Sequence, residues 1–247
     1  MLKDITGEVA VITGASRGIG RATAVALARE GVNLVLTART EEELQEVADQ
    51  CVELGVQAVV APADATQPDD VERVKQQAHD AFGKVDILVN NAGVARYAQL
   101  VEHTVEDYDW MMDTNMKSTF LFARAFVPGM LEQKSGNVII VSSQAGIGGF
   151  PGEAVYCATK HAQVGFAHAL DGEVREHGVK VSVIAPGGVS TTFAFGTGRT
   201  EDMPALDDMT EAETVADSIV FAARQPAKNR ALMIGMRPMS EKIYGGA

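Results

Sequence analysis

The sequence predicts a doubly wound α/β protein: one sheet of seven parallel strands with helices on both faces. Three observations predict it. Short runs rich in Val and Ile alternate with longer stretches of helical period, and Gly, Pro, Asn or Asp marks each change. Runs such as Ile87-Leu88-Val89 and Val138-Ile139-Ile140-Val141 are apolar on both sides, as strands covered on both faces must be. The strand–helix alternation implies parallel strands joined by crossover helices. A chain of 247 residues, 46% hydrophobic and 22% charged, can bury one sizeable core. No linker, internal repeat or low-complexity tract divides it, so residues 1–247 read as a single domain.

The elements follow in order. A first strand over Val9–Thr13 runs through a glycine-rich turn into a helix over Gly18–Glu30. A strand over Asn33–Thr37 precedes a helix over Glu41–Leu54, and a strand over Gln57–Ala61 precedes one over Pro68–Phe82. The apolar run Ile87–Asn90 is the fourth strand, followed by one long helical pattern over Val105–Glu132. Asn137–Ser142 is the fifth strand, Glu153–Glu176 the next helix and Lys180–Ala185 the sixth strand, which ends in the breaker cluster Pro186-Gly187-Gly188-Val189. Residues 190–210 mix aromatics, glycines and charge without a period, and a loop that long suggests a lid. A helix over Glu211–Ala223 and a strand over Leu232–Ile234 complete the pattern.

The 33 acidic residues outnumber the 21 basic ones, leaving a formal net charge of −12. Polyanion binding rests on Lys and Arg neutralising phosphates, so nucleic acids and anionic membranes are not expected as partners. Cys51 and Cys157 make neither a disulfide framework nor a metal quartet, and they could pair only if the fold brought them together. No run of about 18 apolar residues occurs to cross a bilayer, and the opening residues lack an apolar signal core. A cytoplasmic location is the expectation. The five histidines are scattered without zinc-ligand spacing, so no metal is expected.

The first functional reading comes from Thr13-Gly14-Ala15-Ser16-Arg17-Gly18-Ile19-Gly20. Glycines let the backbone turn tightly against a pyrophosphate, while the free amides and positive dipole end of the next helix attract its charge. A plain turn would use similar residues. The place after the first strand of an alternating chain favours dinucleotide binding through Gly14, Ser16, Arg17, Gly18, Ile19 and Gly20. An acidic residue ending the second strand would accept hydrogen bonds from ribose hydroxyls, yet Ala38 and Arg39 stand there. Arg39 offers a planar fork for a 2′-phosphate and Arg17 a second cation, so NADP(H) is the expected cofactor; the competing reading pairs Arg39 with Glu41, Glu42 or Glu43.

Tyr156 and Lys160 lie four residues apart, on one face of a helix. A tyrosine ionises near 10, and holding it as phenolate near neutral pH requires about 4 kcal/mol of differential stabilisation. A nearby ammonium gives that kind of help. Such pairs also occur on solvated helices, but Ser142-Ser143 and the Pro186-Gly187 turn fall at the strand ends where open α/β sheets bind ligands.

These residues together resemble the short-chain dehydrogenase/reductase family in its compact single-domain, Rossmann-type form, over nearly the whole chain. The motifs stand in family order: Thr13 to Gly20, Asp64, Asn90-Asn91-Ala92-Gly93, Asn115, Ser143, Tyr156 with Lys160, and Pro186-Gly187. The resemblance implies that Tyr156 is the general acid/base, giving a proton to a substrate carbonyl oxygen as hydride arrives from the nicotinamide. Ser143, thirteen residues before it, would hydrogen-bond the same oxygen, with Ser142 in support. Lys160 would lower the tyrosine pKa and bond the nicotinamide ribose, and Asn115 would hold a water linking the lysine to solvent. The resemblance also carries Asp64 and Ala65 to the adenine, Asn91, Ala92 and Gly93 to the adenosine side, and Pro186, Gly187, Val189 and Thr191 to the nicotinamide end. Read without it, Asp64 is a turn residue and Asn90 a sheet-stapling side chain. Cys157, beside the tyrosine, reads as packing.

The substrate pocket is expected from the 94–97 loop, the residues after Ser143 and the 190–210 loop, with Tyr97, Gln144, Phe150, Phe193, Phe195 and Met203 as a mostly apolar lining. That favours ketones with a hydrophobic portion. Within the family the chain is most similar to 3-oxoacyl-[acyl-carrier-protein] reductases, and Arg124, Lys134 and Arg175 could form a basic face for an acidic carrier protein. A general NADPH-dependent ketone reductase stands ahead of that reading. A non-catalytic NADPH-binding sensor would be expected to lack the tyrosine or lysine, and a sugar epimerase to have more chain after Thr192. The helical stretches 105–132 and 153–176 are apolar on more than one side, and the resemblance makes a homotetramer the expected assembly.

Overall fold

The computed structural model describes residues 1–241. Seven strands form one wholly parallel sheet: β1 (Val9–Thr13), β2 (Asn33–Thr37), β3 (Ala58–Val60), β4 (Ile87–Asn90), β5 (Gly136–Val141), β6 (Val179–Pro186) and β7 (Met233–Met236). Their spatial order is β3-β2-β1-β4-β5-β6-β7. The helices are α1 (Gly18–Arg29), α2 (Glu41–Glu53), α3 (Pro68–Phe82), α4 (Val105–Met112), α5 (Ser118–Gln133), α6 (Ala154–Val174) and α7 (Ala212–Ala223).

Strand side chains alternate between two cores. Ala10, Ile12, Leu34 and Leu36 pack with residues of α1, α2 and α7, such as Leu27, Leu44 and Ile219. Val9, Val11, Val35 and Val138 pack on the opposite face with Val74 of α3, Phe122 of α5 and Val164 of α6. The doubly wound reading therefore holds, with both faces dry. From β1 the chain moves outward through β2 to β3, then crosses back through α3 to β4 on the other flank of β1. The loops leaving β1 and β4 diverge at that reversal and open a crevice at the carboxyl ends of the strands.

Several boundaries differ from the sequence expectation. The helical pattern over 105–132 is interrupted: a π-helical turn, Asp113–Lys117, separates α4 from α5. A one-residue widening of a helix barely disturbs its apolar period, so periodicity does not reveal it. The edge strand β3 pairs only with Leu34–Leu36 and is shorter than expected. β7 lies further along the chain, because Met233–Met236 pair with Val183–Pro186 of an extended β6. The long helix before β6 ends at Val174 in a 3-10 turn, Arg175–His177.

Candidate active site

A cavity of about 1490 Å³ runs along the carboxyl ends of the strands and is lined by nearly every residue the motifs single out. The exceptions are Thr13, Ala15, Gly20, Asn90 and Asn115, which are not part of its lining. At the β1 turn, Gly14 and Gly18 have φ of 63° and 53°, a region L side chains rarely adopt. A Cβ on Gly20 would stand 2.0 Å from the Gly14 carbonyl oxygen, and one on Gly18 3.3 Å from Thr191 Cγ2. The turn is also clamped to β4. Asn91 Nδ2 donates to the carbonyls of Thr13 (2.9 Å) and Gly14 (3.1 Å), while Thr13 Oγ1 accepts the amides of Asn91 and Ala92 at 2.9 Å each. The Asn91 side chain is thus engaged in holding the loop, and its backbone with Ala92 and Gly93 lines the cavity.

α1 has no acidic residue in its first turn, whereas α2 begins with Glu41, Glu42 and Glu43 and α3 with Asp69 and Asp70. Its amide end is left for an anion. Ser16, Arg17 and Ile19 line the cavity there, with Arg39 just beyond β2. Arg39 makes no ion pair with Glu41, Glu42 or Glu43. Asp64 and Ala65 close the far end. One Asp64 oxygen accepts from the Thr66 amide and hydroxyl at 2.9 and 2.8 Å, so Asp64 is a turn residue as well as a wall residue. Two glycines with positive φ, an unopposed helix end and cations at both turns fit a dinucleotide phosphate chain.

At the other end, Tyr156 lies on the first turn of α6, 6% exposed, with its ring edge-on to Tyr97 (centroids 5.8 Å) and 6.1 Å from the Phe193 ring. Burial pushes its hydroxyl well above the usual phenol range, with Tyr97 adding to the effect, while a hydrogen bond with Ser143 and the Arg199 guanidinium work in the opposite direction. Ser143 caps the 3-10 turn Gln144–Gly146 and takes the Ala145 amide at 3.1 Å. Ser142, just after β5, donates to the Lys160 carbonyl (3.0 Å) and so ties that strand end to α6.

Lys160, 3% exposed, sits one turn beyond Tyr156 with Nζ 5.7 Å from the ring centroid. It donates to the Val141 carbonyl and to Gln163 Oε1, both at 3.0 Å. Burial lowers its pKa to about 7. Burial makes the lysine itself resist charging, and the groups favouring phenolate in this structure are Ser143 and Arg199.

Asn115 occupies the π-helical turn, fully buried. Its Oδ1 accepts the Val94 amide at 2.7 Å, and its Nδ2 donates to the Val94 carbonyl and Thr159 Oγ1 at 2.9 Å each. The turn thereby fixes the loop after Gly93, where a Cβ would lie 3.3 Å from Asn115 Oδ1 and 3.6 Å from Lys160 Nζ.

Pro186, Gly187, Val189 and Thr191 line the cavity at the end of β6. Residues 190–210 form a loop whose inner half is clasped to the 94–97 segment. The Tyr97 amide donates to the Thr197 carbonyl (2.8 Å), Thr197 Oγ1 donates to the Ala95 carbonyl (2.7 Å), and a Cβ on Gly198 would meet Tyr97 Cβ at 2.6 Å. Tyr97, Phe150, Phe193 and Phe195 line the pocket as expected. Met203 does not; it is 36% exposed on the outer half of the loop. Gln144 is pinned by the Ala185 carbonyl (2.7 Å) and Arg237 Nε (3.0 Å). The lining is also less apolar than expected, because Glu153, Arg199, Arg237 and Glu241 share it. Residue composition gave no signal for these four; Glu241 reaches back from beyond β7 to accept the Gly188 amide at 2.7 Å. Cys157 packs among Ala95, Met111 and Ala145, as expected. Arg124, Lys134 and Arg175 stand exposed on α5, at its C-cap and after α6, with no bond uniting them.

The short chain dehydrogenase family model matches residues 8–202, and the chain belongs to this short-chain dehydrogenase/reductase family of oxidoreductases. It is similar to an uncharacterized oxidoreductase of Staphylococcus epidermidis, 37% identical over 94% of this chain and 97% of that one. Among solved structures it is similar to an alcohol dehydrogenase of Thermococcus sibiricus complexed with 5-hydroxy-NADP (27% identical, TM-score 0.89, 96% and 99% covered). A metagenomic short-chain oxidoreductase in complex with NADP is 32% identical (TM-score 0.83, 97% and 100% covered), and levodione reductase 26% identical (TM-score 0.88, 95% and 97% covered).

Proposed function

We propose that this protein is an NADP(H)-dependent oxidoreductase that interconverts a ketone and a secondary alcohol. The observation that carries the reading is the meeting of Tyr156, Ser143 and Lys160 at the end of a cavity whose other end is a dinucleotide cradle. Bound NADP(H) supplies the hydride or accepts it. Gly14 to Gly20 would hold the phosphates, Arg39 and Arg17 the 2′-phosphate, Asp64 and Ala65 the adenine, Asn91, Ala92 and Gly93 the adenosine side, and Pro186, Gly187, Val189 and Thr191 the nicotinamide end. Complexes of two structural relatives with NADP or a derivative of it support the cofactor choice, as does the arginine after β2.

In reduction, Tyr156 Oη delivers its proton to the carbonyl oxygen while Ser143 Oγ steadies the charge developing there. Burial keeps the tyrosine protonated, the form that direction needs. The aromatic walls select a ketone with an apolar portion, and Arg199, near the Tyr97 ring (5.8 Å), leaves room for a polar group beside it. The exposed apolar side chains of α4 and α5, Val105, Tyr108, Trp110 and Phe120, support a homotetramer, and the buried free thiols Cys51 and Cys157 suit the cytoplasm.

The test follows NADPH and NADH oxidation against β-ketoesters, an acetoacetyl thioester, aryl ketones, diketones and sugars. Tyr156→Phe is expected to lower kcat by about 100-fold or more, and Arg39→Ala to raise KM for NADPH about 10-fold or more with little change for NADH. Tight NADPH binding with no turnover of any carbonyl would return the protein to a sensor role.

A further inference from the structure

Lys160 is anchored by a residue that no motif singles out. Gln163, fully buried on α6, accepts Lys160 Nζ on Oε1 at 3.0 Å. Its Nε2 donates to the Asn115 carbonyl oxygen at 2.9 Å and also lies 2.8 Å from Thr119 Oγ1. Thr119 Oγ1 in turn donates to that same Asn115 carbonyl at 2.8 Å. A carbonyl oxygen has two lone pairs, and both are now engaged by side chains. An amide therefore spans the distance between the Asn115 carbonyl and the Lys160 ammonium.

Building on the oxidoreductase reading, we propose that Gln163 is a positioning residue for Lys160: its amide bridges the ammonium to the π-helical turn and fixes the place of Nζ beside Tyr156. An ammonium has three donors. Val141 and Gln163 take two of them and aim the third toward the cavity that Lys160 lines. The π-helical turn contributes by presenting the Asn115 carbonyl to α6 instead of closing it fully within the helix. An uncharged amide also lets the lysine change protonation state without leaving a buried carboxylate behind.

The proposal is tested with two substitutions and two measurements. In protein labelled with 13C at lysine Cε, the Lys160 resonance is expected to titrate near neutral pH in the wild type. The midpoint should rise by about one pH unit or more in Gln163→Glu, where a carboxylate faces the ammonium, and fall in Gln163→Leu, where an acceptor is lost. This reading requires neither cofactor nor turnover. The pH profile of kcat/KM with the best ketone should move in the same directions, with a loss of about 10-fold or more in Gln163→Leu near neutral pH. A structural role alone would lower thermal stability and leave both titrations in place, overturning the proposal. So would a Gln163→Leu enzyme with wild-type kcat/KM and an unshifted lysine. Should Gln163→Leu fail to fold, Gln163→Glu, nearly isosteric, decides the matter by the lysine titration alone. Absence of turnover in the wild type with the lysine shifts intact would remove the oxidoreductase reading and leave the bridge standing.

Discussion

Lys160 carries a cost that can be measured against pH. Its pKa is about 7 in the fold against 10.5 for an ordinary lysine, so the folded state disfavours its charge. Between those values the unfolded chain binds more protons, and the lysine's contribution to stability improves as pH rises through that window. Below it the cost is fully present. Lys160→Met is therefore expected to stabilise the protein by about 1–2 kcal/mol at pH 6.5 and by less at pH 9.5, read from urea unfolding at both. A gain that does not diminish with pH would contradict the burial of the charge. The pair Tyr156 and Lys160 was legible from spacing, but the state of the lysine was not, because desolvation depends on what packs around Nζ. Gln163 was missed for the same reason. A glutamine among the apolar positions Val164 and Ala167 on the α6 face was the one available signal, and nothing in the spacing says what it holds.

At the scale of elements, the glycine loop was legible as a motif and its mechanics were not. The sequence shows the glycines; it does not show that Asn91, just after β4, reaches over to β1 to hold two carbonyls of the turn. Gly20 is where the two meet, since a Cβ there would stand 2.0 Å from the Gly14 carbonyl oxygen and 2.7 Å from Asn91 Nδ2. Gly20→Ala must open the loop, and NADPH affinity, measured by the cofactor's fluorescence, is expected to fall by about 100-fold or more. Retention of affinity would mean that the loop relaxes without loss of its anion site. The π-helical turn was hidden by apolar period, and the edges of β3 and β7 by the fact that a ladder partner, not composition, decides where a strand stops.

For the whole molecule, alternation of pattern sufficed to read the parallel sheet and its two cores, because a strand covered on both faces has few alternatives. Surface use was harder to read. Both long helical stretches are expected to share faces with neighbouring copies; within them the large exposed apolar side chains, Val105, Tyr108, Trp110 and Phe120, lie on α4 and α5 and none on α6, while Val52 on α2 and Phe221 on α7 are exposed elsewhere. Light scattering is expected to find a tetramer at micromolar concentration, and Phe120→Glu to yield smaller species; a wild-type monomer would rule out that assembly. The sole tryptophan, Trp110, forms part of the cavity wall. Every photon of indole emission therefore leaves from beside the reaction chamber, and quenching on the arrival of a ligand can be followed without attaching a dye.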